Sequence, residues 1–180
     1  MFNLILNKIL VIGIVFILNS IYINPHQAVE SEIDQKVIIE KIKGLDYSSI
    51  INDTHPRIFF TENDIPYLQQ RINTSHGDQW QIFITYLNEW LDYNYTDAPE
   101  WYFNVDVKAF SFGYILTLNA DYLSKSIELM NIMIDWEIPN DDMPNRERLL
   151  TLSFGFDWTY NGLNPIQRTA IASRINDYMI

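Results

Sequence analysis

The chain contains no cysteine among its 180 residues, and basic residues and histidines are scarce. The absence of cysteine excludes disulfide frameworks, thiolate zinc sites and cysteine nucleophiles. With 12 Lys and Arg against 23 Asp and Glu, the net charge is −11, which argues against sequence-independent binding of nucleic acid to a basic surface. Of the 3 histidines, one lies within the first 28 residues, so a multi-histidine metal site is not expected. Nucleic acid, metal ions and other cofactors are therefore not expected as partners.

Hydrophobic and aromatic side chains, in contrast, are abundant. They make up 48% and 14% of the sequence, a share that excludes an intrinsically disordered chain. The 6 Gly and 7 Pro are too few for a collagen-like or linker composition. The length suits one ordinary domain with a leader rather than two packed domains. The composition therefore predicts an acidic, aromatic-rich globular protein.

Residues 1–28 form a separate hydrophobic segment in which Lys8 is the only charged residue. Its apolar centre, residues 9–18, matches the length of a signal-peptide core and falls short of the roughly twenty residues that cross a bilayer. One alternative is an uncleaved membrane anchor over residues 4–23, with Lys8 extending to the interface, and another is a buried strand or helix. The first interpretation predicts a secreted, periplasmic or cell-surface protein, and the second predicts a membrane-anchored one.

Apolar residues recur at helical spacing through most of residues 55–180, which predicts an all-α fold. Residues 29–54 are mixed and polar, and we interpret them as a linker with one short helix. Residues 105–136 and 146–180 look alike, because each contains a very apolar helix, a short turn and an amphipathic helix. Their starts lie 41 residues apart, a spacing typical of repeated helical hairpins, although an irregular helical bundle fits the same pattern.

Three segments carry longer motifs: residues 55–65 (HPRIFFTENDI), residues 109–129 (AFSFGYILTLNADYLSKSIEL) and residues 152–174 (LSFGFDWTYNGLNPIQRTAIASR). In this order and spacing they resemble the N-terminal helical domain of the heparinase II/III-like polysaccharide lyases. The chain departs from the family pattern at Asn119-Ala120, where the family has Gly-Asp, and at Ser126, where it has Ala. The resemblance extends over about residues 52–178.

The resemblance implies both a fold and a partner. The fold is a partial (α/α) toroid of antiparallel helical hairpins over residues 55–180, preceded by a hydrophobic leader helix, and its inner helices line a sugar-binding cleft. The family cleaves uronic-acid polysaccharides by β-elimination, so the implied partner is an acidic polysaccharide. The family's catalytic Asn, His and Tyr follow the segment that residues 156–174 resemble, and no catalytic residue is therefore assigned in this chain.

The function expected from the resemblance is that of an exported, truncated N-terminal fragment of a lyase-like protein, inactive by itself. One alternative is a non-catalytic helical protein that binds carbohydrate or serves as a scaffold outside the cytoplasm, and another is an unrelated exported helical protein. The net charge of −11 counts against the acidic polysaccharide, because it repels a polyanion at long range.

Four residues are candidates for binding the polysaccharide: Arg146, Asp157, Trp158 and Tyr160. Arg146 could bind a uronate carboxylate with two hydrogen bonds, and the two aromatic rings could stack on sugars. Each candidate also has a structural interpretation, with the arginine in a surface ion pair and the rings in the core. Asp157 lies in an apolar helix and needs a partner, such as a helix end, Arg146 or Arg148.

The last predicted helix carries large apolar residues that no later helix in the sequence covers: Ile166, Ile171, Ile175 and Met179. Burial of each is worth about 1.5–3 kcal/mol. We therefore expect the protein to self-associate through its terminal hairpin.

Overall fold

The computed structural model describes residues 54–138 and 141–179, and every regular element within these two ranges is helical. They contain two short 3-10 turns and six α-helices: α1 Ile65–Ile72, α2 Gly77–Trp90, α3 Glu100–Thr117, α4 Ala120–Ile134, α5 Asp142–Thr159 and α6 Pro165–Asp177. The prediction of an all-α fold is confirmed for this part of the chain. No helix in it is long and apolar enough to cross a membrane. The predicted leader and residues 29–53 of the predicted linker lie outside the described residues.

Short polar residues fix the starts of α4 and α6. The side chain of Asn119 accepts a hydrogen bond from the backbone amide of Asp121 at 2.8 Å and caps α4. The side chain of Asn164 accepts one from the backbone amide of Gln167 at 3.0 Å, and the Gln167 side chain reaches back to the Asn164 amide at 2.9 Å. Only Leu118 and Asn119 separate α3 from α4, so the two helices form an antiparallel hairpin.

Two helices begin earlier than the sequence analysis predicts. The first apolar helix, expected from residue 105, starts at Glu100, directly after Pro99. The second, expected from residue 146, starts at Asp142, because Asp141 accepts a hydrogen bond from the Met143 amide at 3.1 Å and caps the helix. Pro144 is compatible with this start, since the first turn of a helix needs no amide donor.

The two hairpins, α3–α4 and α5–α6, pack side by side. The most extensive contacts of α3 are with α4 and α5, and α4 also touches α6. Gly155 lets α5 approach α3 and α4 closely, because a Cβ added there would lie 2.6 Å from Met130 of α4 and 2.7 Å from Val107 of α3. Helices α1 and α2 contact α3 as well. The fully buried large side chains are Phe83, Leu87, Val107, Phe110, Leu129, Met130, Met133, Leu152 and Ile171.

The terminal helix α6 is less exposed than the sequence analysis assumes. Ile171 is fully buried, and Ile175 packs partly buried against the core. Ile166 and Met179 remain 81% and 62% exposed. The expectation of four uncovered apolar residues is therefore wrong for two of them, because α6 turns one face toward α4 and α5.

Candidate functional site

The opening segment, residues 55–60, is held by a buried carboxylate at the far end of α5. Asp157 accepts hydrogen bonds from the backbone amides of Arg57 and Ile58, each at 2.8 Å. Its other oxygen lies 2.6 Å from Nδ1 of His55. Asp157 is 2% exposed, so these partners compensate for the removal of its charge from water.

Two aromatic residues next to Asp157 complete this anchor. Trp158 donates a hydrogen bond from Nε1 to the carbonyl oxygen of Ile58 at 3.2 Å. The ring of Tyr160 is stacked on the imidazole of His55, with 3.8 Å between ring centroids, and the guanidinium of Arg168 lies 4.1 Å from the Tyr160 centroid. Asp157, Trp158 and Tyr160 thus lie together, and each contacts the opening segment.

The structure gives Asp157 partners other than the arginines considered from the sequence. Arg148 instead forms a bidentate ion pair with Glu100, with Nε–Oε1 at 2.6 Å and Nη2–Oε2 at 2.8 Å. These hydrogen bonds raise the pKa of Arg148 above its ordinary value. Arg148 also donates to the carbonyl oxygen of Glu137 at 2.6 Å. The pair joins the first turn of α3 to α5.

Arg146, the fourth candidate, lies apart from the other three. It is exposed in the first turns of α5, while Asp157 lies eleven positions later, about 16 Å along the helix axis. The structure therefore brings three of the four candidate residues together and leaves Arg146 at the other end of α5.

The opening segment covers part of the face that α3 and α5 share. Phe60 packs edge-on against Phe112 of α3, and Phe59 stacks on Phe154 of α5 at 5.1 Å. One turn before Phe112 is Lys108, and since positions four apart share a helix side, Lys108 continues the same face. By the same spacing, residues 146 and 150 precede Phe154 on α5.

We call the rest of this surface, which no other described residue is seen to cover, the open face. It consists of five residues, three from α3 and two from α5: Trp101, Asn104, Lys108, Arg146 and Leu150. Trp101 and Leu150 are 46% and 42% exposed. Asn104 links the two helices, because its Oδ1 accepts a hydrogen bond from Thr151 at 3.3 Å. The open face therefore combines an indole, an amide and two cationic groups.

Lys108 is the most unusual group of the open face. It is half-buried, and none of the ion pairs formed within the described ranges includes it. Burial lowers the pKa of Lys108, and the nearby carboxylate of Glu147 partly offsets this effect. A partly desolvated ammonium group without a paired carboxylate is suited to binding an anion.

A second buried carboxylate, which the sequence analysis does not identify, lies on the opposite side of α3. Asp106 is completely buried and accepts a hydrogen bond from Tyr95 Oη at 2.7 Å and another from Tyr86 Oη. Burial and the charge of Asp106 raise the pKa of both tyrosines. The signal that could have revealed this cluster is a single acidic residue within the apolar stretch VDVKAF, since such a residue needs donors.

No cluster of three metal-ligating side chains occurs in the ranges that the structure describes. A comparison of the chain with the sequence models of known protein families finds no match. A comparison with curated proteins finds no match either. The likeness to the polysaccharide lyases therefore rests on the three motif segments alone.

Proposed function

We propose that this protein is an exported helical domain of the polysaccharide-lyase type that binds an acidic polysaccharide along its open face without cleaving it. The observation that carries this proposal is the combination of Lys108, Arg146 and Trp101 on two adjacent helices of an acidic chain. In the described ranges, Lys108 has no carboxylate in an ion pair with it, and Arg146 is exposed. Arg146 is therefore available to an anionic ligand, and the nearby carboxylate of Glu147 only partly neutralises Lys108.

The chemistry of the open face fits a uronic-acid unit. The ammonium of Lys108 and the guanidinium of Arg146 can form charge-assisted hydrogen bonds with sugar carboxylates. Trp101, with 46% of its surface exposed, offers an apolar ring to the C–H face of a pyranose. Asn104 adds a neutral amide between the two helices. The open face concentrates a few positive charges where the ligand would bind, while the rest of the protein surface remains acidic.

The arrangement of the helices supports the (α/α) toroid that the resemblance implies. The hairpins α3–α4 and α5–α6 follow one another, with α3 beside α5 and α4 touching α6. In this proposal, α3 and α5 are the inner helices and the open face belongs to the cleft. The motif segments also meet in space, because residues 55–58 bind Asp157 and Phe60 packs on Phe112.

A scaffold role is the second candidate function. It is favoured by two exposed apolar side chains, Ile166 in the first turn of α6 at 81% and Met179 just after α6 at 62%. Binding of a polysaccharide and self-association are separable by experiment, since the open face and these two residues share no side chain.

The experiment is a calorimetric titration of the full chain with alginate, heparan sulfate and hyaluronan. Lys108→Gln and Arg146→Gln should each weaken binding about tenfold or more, because a charge-assisted hydrogen bond is worth about 1.5–3 kcal/mol. Arg71→Gln is the matched control, because it removes the same charge from α1, and should change the affinity less than about twofold.

Two outcomes would contradict the proposal. If none of the three polysaccharides binds, the open face is not a site for acidic sugars. If Arg71→Gln weakens binding as much as Lys108→Gln, the interaction reflects overall charge rather than a site. The same samples test cleavage, since elimination produces a 4,5-unsaturated uronide that absorbs in the ultraviolet, and we expect no such absorbance.

A further inference from the structure

A cavity lies on the other side of α3, away from the open face. Its volume is about 310 Å³, and it lies between the α2–α3 loop, α3 and the end of α4. The residues around it are Asn94, Tyr95, Thr96, Ala98, Phe103, Glu128, Ile132 and Trp136. This volume is at the lower end of the range for small-molecule sites, about 300–1,000 Å³.

The wall of the cavity is aromatic and its rim is polar. Phe103 meets Trp136 edge-on with 4.8 Å between ring centroids, and Tyr95 meets Phe103 at 5.2 Å. Asn94 and Glu128, both exposed at the surface, contribute an amide and a carboxylate. An apolar wall with a few polar groups at its edge suits a ligand that has one apolar face and several hydroxyl groups.

Contacts with two buried charged residues fix the aromatic side chains of the cavity wall. Tyr95 donates a hydrogen bond to the buried Asp106 at 2.7 Å. The guanidinium of Arg148 lies 4.8 Å from the ring of Trp136, while its ion pair with Glu100 fixes its position. Because these contacts fix the positions of the rings, binding would require little reordering of the wall.

The charges near the cavity favour an uncharged ligand. Glu128 is paired with Lys125 at 3.0 Å, so the carboxylate at the rim already has a cationic partner. Lys125 is buried, donates to the carbonyl oxygen of Tyr93 at 3.4 Å and lies 5.4 Å from the ring of Tyr95. A uronate would meet the Glu128 carboxylate, and a cationic sugar would compete with Lys125 for it.

We propose that this cavity binds one or two units of an uncharged sugar, with the apolar face of the pyranose against Trp136 and a hydroxyl donating to Glu128. The site is distinct from the open face. Phe103 follows Trp101 by two positions, which places the two side chains about 200° apart around α3. The inference therefore does not depend on the binding of an acidic polysaccharide.

The experiment titrates the full chain with neutral and charged sugars and follows the indole N–H signals by NMR. The neutral probes are maltose, cellobiose and N,N′-diacetylchitobiose, and the charged probes are glucuronic acid and glucosamine. The protein should come from a host that does not add N-linked glycans, because Asn94 begins the sequon Asn94-Tyr95-Thr96 at the rim. At least one neutral sugar should shift the Trp136 signal, and the charged sugars should bind at least tenfold more weakly.

Variants test whether the sugar occupies this cavity. Trp136→Ala should abolish binding, and Glu128→Gln should weaken it about tenfold. Ala98→Phe fills the cavity without removing its aromatic wall, so it provides the test if Trp136→Ala fails to fold. Trp101→Ala is the matched control, because it removes a tryptophan from the open face of the same helix, and should leave the affinity for the neutral sugar unchanged.

The inference would be wrong if none of the neutral sugars binds, or if a charged sugar binds more tightly than the neutral ones. It would also be wrong if the Ala98→Phe and Glu128→Gln proteins both fold and both still bind the neutral sugar with unchanged affinity. The polysaccharide titration separates this failure from a failure of the proposed function. Lys108→Gln should lose acidic polysaccharide and keep the neutral sugar, whereas Ala98→Phe should do the reverse.

Discussion

The carboxylate of Asp157 accepts a hydrogen bond from the backbone amide of Arg57 at 2.8 Å, although the two residues are 100 positions apart in the sequence. The adjacent amide, that of Ile58, donates to the same oxygen. The contact joins the beginning of the described chain to the end of α5 and orients Phe59 and Phe60 against the two central helices. The position of the opening segment, and hence the extent of the open face, depends on this side chain together with Trp158 and Tyr160, which also contact the segment.

Replacing Asp157 with Asn should destabilise the fold by about 1–3 kcal/mol. The amide side chain keeps one acceptor oxygen for the two backbone amides, but it lacks the negative charge that strengthens these hydrogen bonds and the contact with His55. The free energy of unfolding from urea titrations, followed by circular dichroism, measures the loss. Asp92→Asn is the control, since it removes the same charge from an exposed residue. Equal midpoints for Asp157→Asn and the wild type would show that the anchor contributes nothing to stability.

The stability of the protein should fall steeply above about pH 10, the ordinary pKa of tyrosine. Burial and Asp106 raise the pKa of Tyr86 and Tyr95 in the folded state, so the unfolded chain loses these protons first. Their contribution is complete below pH 10 and declines as the pH rises, by about 1.4 kcal/mol per pH unit for each tyrosine.

Phe substitutions isolate this effect from the other tyrosines. Tyr86→Phe and Tyr95→Phe should each reduce the slope of unfolding free energy against pH between 10 and 11 by about 1 kcal/mol per pH unit, because the unfolded tyrosine is only partly ionised in this range. Tyr67→Phe, at a tyrosine that is 52% exposed, should leave the slope unchanged. An identical slope in all four proteins would contradict the raised pKa values.

A methyl group added at Gly155 should destabilise the protein, because it would lie 2.6 Å from Met130 and 2.7 Å from Val107. We expect Gly155→Ala to cost about 1–3 kcal/mol by overpacking, even though alanine is the better helix former. Gly77→Ala is the matched control, since the nearest atom there is 3.7 Å away, and it should be neutral or stabilising by up to about 1 kcal/mol. Thermal unfolding of both variants measures the difference, and equal melting temperatures would show that the interface can shift.

Self-association through the terminal hairpin should depend on Ile166 and Met179. Both are large, apolar and more than 60% exposed, at 81% and 62%, and two copies could cover them together. Ile166→Glu and Met179→Glu should each lower the average mass in light scattering and the binding of an apolar fluorescent dye. Leu118→Glu, at an apolar residue that is 69% exposed outside α6, should do neither. A wild-type protein that is monomeric and binds no dye would contradict the prediction.

Sequence patterns predicted the helices well and the contacts of individual polar residues poorly. The Asn164 cap depends on a side chain that bonds to an amide three positions away, so it can be recognised in the sequence. The need of Asp157 for a partner was equally visible, because it lies in an apolar helix. The partners of Asp157 could not be predicted from the sequence, because His55 and the amides of Arg57 and Ile58 lie far from it along the chain.

The candidate sites show the same division. Arg146 was recognised as a basic residue at the start of a helix, and the structure places it on the open face. Lys108 was overlooked, because its significance comes from burial between α3 and α5 and from the absence of an ion pair within the described ranges. The cavity near Trp136 was not predictable either, since it lies between a loop and two helices that meet only in the tertiary structure.

The sequence by itself determined the elements of the described chain: an all-helical architecture, the short α3–α4 turn and the capped start of α6. These depend on apolar spacing and on side-chain bonds within a few residues. Only the tertiary structure decided which faces are covered. The opening segment occupies part of the surface that α3 and α5 share, and α6 buries Ile171 but leaves Ile166 exposed. Burial depends on contacts between residues far apart in the chain, and local spacing carries no information about them.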